Sequence, residues 1–176
     1  MTSPRTALLL VGSAKPAGQS TSEALGIYLA LQLQEHGIAT TTMYAARALR
    51  TEERAGALVA AANAADMLIM SCPLYVDSLP HLVTKALERI AAHASDDHRD
   101  GRSPARRPRL LAIANCGFPE AQHNVTALAI CEQFAVQAGM EWAGGLAVGQ
   151  GGAISGRPLA EAGARARNTT AGLDMV

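Results

Sequence analysis

Along the chain, short apolar runs alternate with stretches of helical period. Ala7-Leu8-Leu9-Leu10-Val11 is a continuous apolar run that stops at Gly12, the pattern of a strand buried on both faces. From residue 22 to 36 the period changes. Leu25, Leu29 and Leu33 recur every fourth residue, the polar Glu23, Gln34 and Glu35 fall elsewhere, and Gly37 supplies a stop. The threonine-rich stretch 38–43 reads as a second, less buried strand. Thr51 can cap a helix that carries Glu52 and Glu53 in its first turn and runs to about Ala65. Met67-Leu68-Ile69-Met70 reads as a third buried strand. Leu82, Val83, Ala86, Leu87 and Ile90 then share one helical face, with Pro80 tolerated in the first turn. Residues 93–109 are polar and interrupted by Pro104 and Pro108, which predicts a loop. Residues 110–114 form a fourth strand, Ala127, Cys131, Phe134 and Ala138 mark a further helix, and residues 142–148 form a fifth strand. The glycine-rich stretch 149–156 reads as a flexible loop at the edge of any ligand. Pro158 opens a final, weakly apolar helix.

Strict alternation of strand and helix argues for a parallel sheet with helices on both faces. Five strands in 176 residues fit a flavodoxin-like three-layer α/β fold, a five-stranded parallel sheet in the order 2-1-3-4-5. The length is that of one domain spanning 1–176, with 94–109 as a polar loop and 149–176 as the glycine-rich loop and C-terminal helix. In such folds ligands bind beyond the carboxyl ends of the strands, near the switch point of strand order. Attention therefore falls on the segments after the first, third and fourth strands.

Composition narrows the function classes. With 49% hydrophobic and 17% charged residues the chain is not disordered. Lys+Arg and Asp+Glu are 15 each, so no basic excess favours nucleic acid or an anionic membrane. No apolar run approaches the ~18 residues of a membrane span, and a cytoplasmic protein is expected. Cys72, Cys116 and Cys131 are odd in number and form no C-x-x-C pair, which argues against a disulfide framework, a zinc ribbon or an iron–sulfur cluster. The histidines lack metal-ligand spacing, so no metal is expected.

The candidate strand ends carry a pattern. After the first strand, Gly12 to Ser22 includes Ser13, Lys15, Ser20, Thr21 and Ser22 and leads into a helix. Free N–H groups at a helix start, hydroxyls and a cation suit a phosphate. The spacing is neither that of a Walker A loop nor G-x-G-x-x-G. After the third strand come Pro73, Leu74, Tyr75 and Val76. Tyr75 is one of only six aromatics, placed either to line a flat ligand or to pack on the helix start. After the fourth strand come Asn115, Cys116, Gly117 and Phe118. Together these loops suggest a ligand with a phosphate and a planar ring. A nucleophilic pair of Cys116 with His123 is an alternative chemistry. Gly149-Gln150-Gly151-Gly152 lacks the third glycine of a dinucleotide fingerprint.

The segment Gly12-Ser13-Ala14-Lys15 through Ser20-Thr21-Ser22 resembles the phosphate loop of the NAD(P)H-dependent FMN reductase family, with Lys15 in place of the common arginine. Pro73-Leu74-Tyr75, Leu79-Pro80 and Lys85-Ala86-Leu87-Glu88 are similar to that family's second motif, and Asn115-Cys116-Gly117 to its third flavin loop. The resemblance spans residues 8–148. It implies an FMN-binding domain in which Ser13, Lys15, Ser20, Thr21 and Ser22 hold the phosphate. Pro73, Leu74, Tyr75 and Val76 would flank the isoalloxazine, and Asn115, Cys116 and Gly117 would approach its other edge. It further implies an oxidoreductase that takes NAD(P)H as co-substrate and reduces a small-molecule acceptor such as a flavin, quinone, azo or nitro compound or metal ion. No protein acid or base is required. A homodimer or homotetramer is implied in the same way. A flavodoxin-type electron carrier and a flavin-free binding module are the alternatives.

Overall fold

The computed structural model describes residues 5–99 and 107–175. Five strands form one sheet: β1 (Thr6–Val11), β2 (Ala39–Tyr44), β3 (Met67–Pro73), β4 (Arg109–Asn115) and β5 (Glu141–Val148). Their order is β2-β1-β3-β4-β5 and every neighbouring pair is parallel, as the alternating pattern predicts. The helices are α1 (Thr21–Glu35), α2 (Ala45–Ala48), α3 (Glu52–Ala64), α4 (His81–Arg99), α5 (Val125–Gln137) and α6 (Arg167–Leu173). Among the described residues no helix is long and apolar enough to cross a membrane.

The two-residue period of the strands sorts the core into two layers. Leu8, Leu10, Leu68, Met70, Leu110 and Ala112 pack with Leu58 of α3, Val83 and Ile90 of α4, and Phe134 of α5. Leu9, Val11, Ile69, Leu111 and Ile113 face the other way, onto Leu25 and Leu29 of α1 and onto Ile154, Leu159 and Leu173 of the C-terminal segment. Continuous apolar runs in β1, β3 and β4 follow from this double burial, and each buried leucine contributes roughly 1.5–3 kcal/mol. Edge strand β2 is covered less and tolerates its threonines. Register sets the height of the loops. Pro73 lies beside Asn115, so β3 and β4 end level, while β1 ends at Val11 beside Ser71, two residues lower.

Two expectations change and one element is added. Residues 93–99 do not belong to a loop: α4 continues through them to Arg99. No Gly or Pro occurs before that point, and extending an existing helix costs little compared with starting one. The rest of the polar stretch up to residue 106 lies outside the described residues. The weakly apolar helix expected after Pro158 is instead two 3-10 turns, Leu159–Glu161 and Gly163–Ala166, followed by the short α6. Gly156, Pro158 and Gly163 interrupt the segment too often for one cooperative helix. Finally α2, four residues long, is too brief to leave a periodic signature.

Two buried thiols make stability depend on pH. Cys72 and Cys131 lie in the same core layer. Burial pushes the Cys131 thiol up to about 12. Burial, and secondarily the neighbouring Cys131, also pushes Cys72 up. A thiol whose folded pKa is raised stabilises the fold fully below its unfolded value, here 9.0, and loses that contribution as pH rises. Each thiol should therefore withdraw about 1.4 kcal/mol per pH unit above pH ~9. Urea midpoints are expected to fall steeply between pH ~9 and ~10.5. Cys131→Ala should flatten that slope to about half, with equal slopes arguing against the buried thiols.

Candidate functional site

Three loops meet beyond the carboxyl edge of the sheet, at the switch between β1 and β3. The first runs from Gly12 to Ser20. Gly12 N–H donates to Ser71 O at 2.8 Å. A Cβ at Gly12 would lie 2.3 Å from Val83 Cγ2 and 2.7 Å from Cys72 Cβ, so only glycine lets β1, β3 and α4 close here. Ser20 caps α1, its Oγ accepting from Glu23 N at 3.0 Å. Glu23 is itself buried and holds the loop's curl: Oε2 accepts Gly18 N–H at 2.6 Å and Oε1 accepts Tyr44 O–H at 2.5 Å. Hydrophobic periodicity alone does not single out Glu23. The capping-box spacing Ser20-x-x-Glu23 is the signal that identifies it.

The second loop follows β3. Tyr75 and Ser78 exchange backbone bonds, Tyr75 N to Ser78 O at 2.9 Å and Ser78 N to Tyr75 O at 3.1 Å. The two residues between them, Val76 at φ 49° and Asp77 at φ 57°, are left-handed. A β-branched residue in that region costs on the order of 1–3 kcal/mol. The turn leaves Val76 98% exposed, while Tyr75 remains 47% exposed at the rim of a hollow.

The third loop follows β4. Ser22 Oγ donates to Asn115 Oδ1 at 2.7 Å, Ser71 Oγ donates to Ser22 O at 2.6 Å, and Leu74 N–H donates to Asn115 O at 2.8 Å. These bonds stitch the ends of β3 and β4 to the start of α1. Cys116 Sγ lies 3.4 Å from Asn124 Nδ2, 3.6 Å from Phe118 O and 3.7 Å from Glu120 O. The Cys116–His123 pair considered from the sequence is not formed. The His123 ring instead sits 4.6 Å from the Phe118 ring, with Nε2 3.9 Å from Glu120.

The glycine-rich stretch 149–156 is not a free loop. Gln150 N–H donates to Phe118 O at 2.7 Å and Gly151 N–H to Cys116 O at 2.8 Å, while Thr21 Oγ1 donates to Gly151 O at 2.6 Å. The segment closes the back of the site by joining the third loop to α1. Close approach demands glycine at 149, where a Cβ would meet Pro119 O at 2.3 Å.

The loops enclose an open cleft of about 190 Å³. Ser13, Lys15, Ser20, Thr21 and Ser22 line one end, Pro73, Leu74 and Tyr75 a second wall, and Asn115, Cys116 and Gly117 a third. Of the residues expected from the sequence to hold FMN only Val76 is absent from the lining. Lys15 is the one charged residue in the lining among the described residues. The hydroxyls differ in what they can offer. Those of Thr21 and Ser22 donate to Gly151 O and Asn115 Oδ1 and so serve the architecture. Among the described residues Ser13 and Ser20 act only as acceptors, from Lys15 N and Glu23 N, so none of these residues uses their O–H donors. The first N–H groups of α1 have no partners within the helix. The Asn115 Nδ2 amide is also unused by the described residues. Donors and one cation at one end, with apolar and aromatic walls at the other, fit a phosphorylated planar molecule. Among the described residues no group of three potential ligands could hold a metal ion.

No family model matches the chain, and no curated protein is similar to it in sequence. Solved structures match its fold. A WrbA-like flavodoxin from Agrobacterium tumefaciens is 16% identical with a TM-score of 0.53 over 82% of this chain and 76% of that one. An azoreductase from Bacillus anthracis is 12% identical with a TM-score of 0.59 over 97% and 95%. An NADH:FMN oxidoreductase in its apo form is 16% identical with a TM-score of 0.63 over 83% and 76%. The chain has the flavodoxin-like fold that these structures share.

Proposed function

We propose that this chain binds FMN in the cleft and works as an NAD(P)H-dependent oxidoreductase acting on a small-molecule acceptor. One observation carries the reading: loops from three strand ends converge on a cleft whose donors gather at one end and whose apolar walls stand at the other. Two of the solved structures with the same fold, an azoreductase and an NADH:FMN oxidoreductase, support the reaction class.

When bound, FMN supplies the redox chemistry, accepting hydride from the nicotinamide and passing reducing equivalents onward. The chain's own residues bind and orient. On this reading Lys15 neutralises part of the phosphate charge, and the Ser13 and Ser20 hydroxyls with the first N–H groups of α1 donate to its oxygens. Thr21 and Ser22 act through their backbone and by locking the neighbouring loops. Pro73, Leu74 and Tyr75 keep water from one face of the ring site, with Val76 at the outer rim. Asn115, Cys116 and Gly117 border the opposite edge, where the free Asn115 amide can donate to a ring carbonyl or nitrogen. No side chain need act as acid or base.

The test is anaerobic absorbance of the FMN-loaded protein. NADPH or NADH is expected to bleach the visible flavin band, and a small acceptor such as a quinone to restore it. A loaded protein that neither nucleotide bleaches would be an electron carrier, and the enzyme reading would fail.

A further inference from the structure

A second hollow lies on the other side of the first loop. It has a volume of about 250 Å³ and shares Ser13 and Lys15 with the cleft. Its remaining walls include Tyr44 at the end of β2, and Arg47 and Arg50 just beyond it. Three cations thus line one hollow in a chain whose formal net charge is zero. No carboxylate lines it, and none of the three cations has an ion-pair partner among the described residues. Glu23, which bonds Tyr44, has both oxygens engaged by Gly18 N–H and the Tyr44 hydroxyl. Arg47 is held over the Tyr44 ring, Cζ 4.8 Å from its centroid, so its guanidinium is stacked in place.

Uncompensated cations gathered around a hollow are a binding site for a polyanion. A single phosphate at the start of α1 is already served by Lys15, two hydroxyls and backbone donors, so the two arginines are surplus to it. Arginine forks suit the oxygens of a terminal phosphate monoester, which carries close to two charges at neutral pH. Topology gives the direction. The apolar walls belong to β3 and β4, the phosphate end to β1, and the cationic hollow to β2, the next strand outward. A dinucleotide stacked ring on ring and running along the phosphate arm of the first would bring its far end past the phosphate loop toward β2.

We propose that Arg47 and Arg50, with Lys15, bind the 2′-phosphate of the nicotinamide co-substrate, which makes the protein selective for NADPH over NADH. The inference rests on the reductase reading but is tested apart from it. Calorimetric titration with 2′,5′-ADP and with 5′-ADP needs neither flavin nor turnover. The native protein is expected to bind 2′,5′-ADP about tenfold or more tightly than 5′-ADP, more weakly as salt rises. Arg47→Gln with Arg50→Gln should abolish that preference, and Arg47→Lys with Arg50→Lys should restore it in part. In turnover the double glutamine variant should lose about tenfold or more in kcat/KM for NADPH, with kcat/KM for NADH and the Kd of FMN unchanged. Equal binding of the two nucleotides by the native protein, or a preference that survives in the variant, would overturn the proposal. So would FAD binding more tightly than FMN through the same arginines, since the hollow would then hold the second phosphate of the flavin. Selective 2′,5′-ADP binding in a protein that no nicotinamide reduces would uphold the hollow and reject only the reductase reading.

Discussion

Replacing Ser13 and Lys15 together by alanine is expected to raise the Kd of FMN by about 100-fold, ~3 kcal/mol, while leaving the affinity for riboflavin unchanged. Among the described residues Lys15 is the one charge in the lining of the cleft, and the Ser13 hydroxyl is a donor that none of them uses. Hydrogen bonds to a charged partner contribute roughly 1.5–3 kcal/mol each, and removing both should be close to additive only if neither reorganises the loop. Riboflavin supplies the control because it presents the same ring without the phosphate. If both affinities fall together, the two residues support the loop rather than the phosphate. If neither falls, the phosphate lies elsewhere. Thr21→Val is the informative contrast. Its hydroxyl is committed to Gly151 O, so its loss should loosen the 149–156 segment more than it weakens the phosphate contact.

The second large effect concerns the floor of the same loop. Gly12→Ala is expected to destabilise the fold by about 3 kcal/mol or more, read as a fall in urea midpoint at unchanged slope. The added Cβ would stand 2.3 Å from Val83 Cγ2 and 2.7 Å from Cys72 Cβ. Both neighbours are fully buried, so neither has space to retreat into. The Val83 contact is with a side chain and can be removed. Gly12→Ala with Val83→Ala should therefore cost less than the sum of the single changes, whereas the Cys72 contact, one bond from the backbone, remains. Simple additivity would show that α4 shifts away from β1 rather than bearing the clash.

Much of this architecture is written in local pattern. The double-sided burial of β1, β3 and β4 leaves uninterrupted apolar runs, and Thr51 caps α3 where its sequence suggests, its Oγ1 accepting from Arg54 N at 3.3 Å. The cleft-lining residues could be found because they lie at a strand's carboxyl end, in the loop beyond it or at the start of the next helix, and strand order places those ends together. What escaped the sequence reading depends on contacts distant in the chain. Glu23 gains its importance from Gly18 and Tyr44, and Tyr44, Arg47 and Arg50 matter only because β2 pairs with β1. The stretch 149–156 looks loose in composition, yet bonds to Cys116, Phe118 and Thr21 fix it. Val76 follows its neighbours in sequence, but two left-handed residues turn it out of the cleft. Polarity alone points to a loop from residue 93, although no Gly or Pro lies between His81 and Arg99 to break α4.

On the proposed function the cleft grips a flavin by its phosphate at one end and its ring at the other. Titration of the native protein with FMN and with riboflavin, followed by quenching of flavin fluorescence, tests it directly. FMN is expected to bind at least about 100-fold more tightly than riboflavin, with the difference shrinking as salt rises. Equal affinity for the two flavins, or uptake of neither, would contradict it.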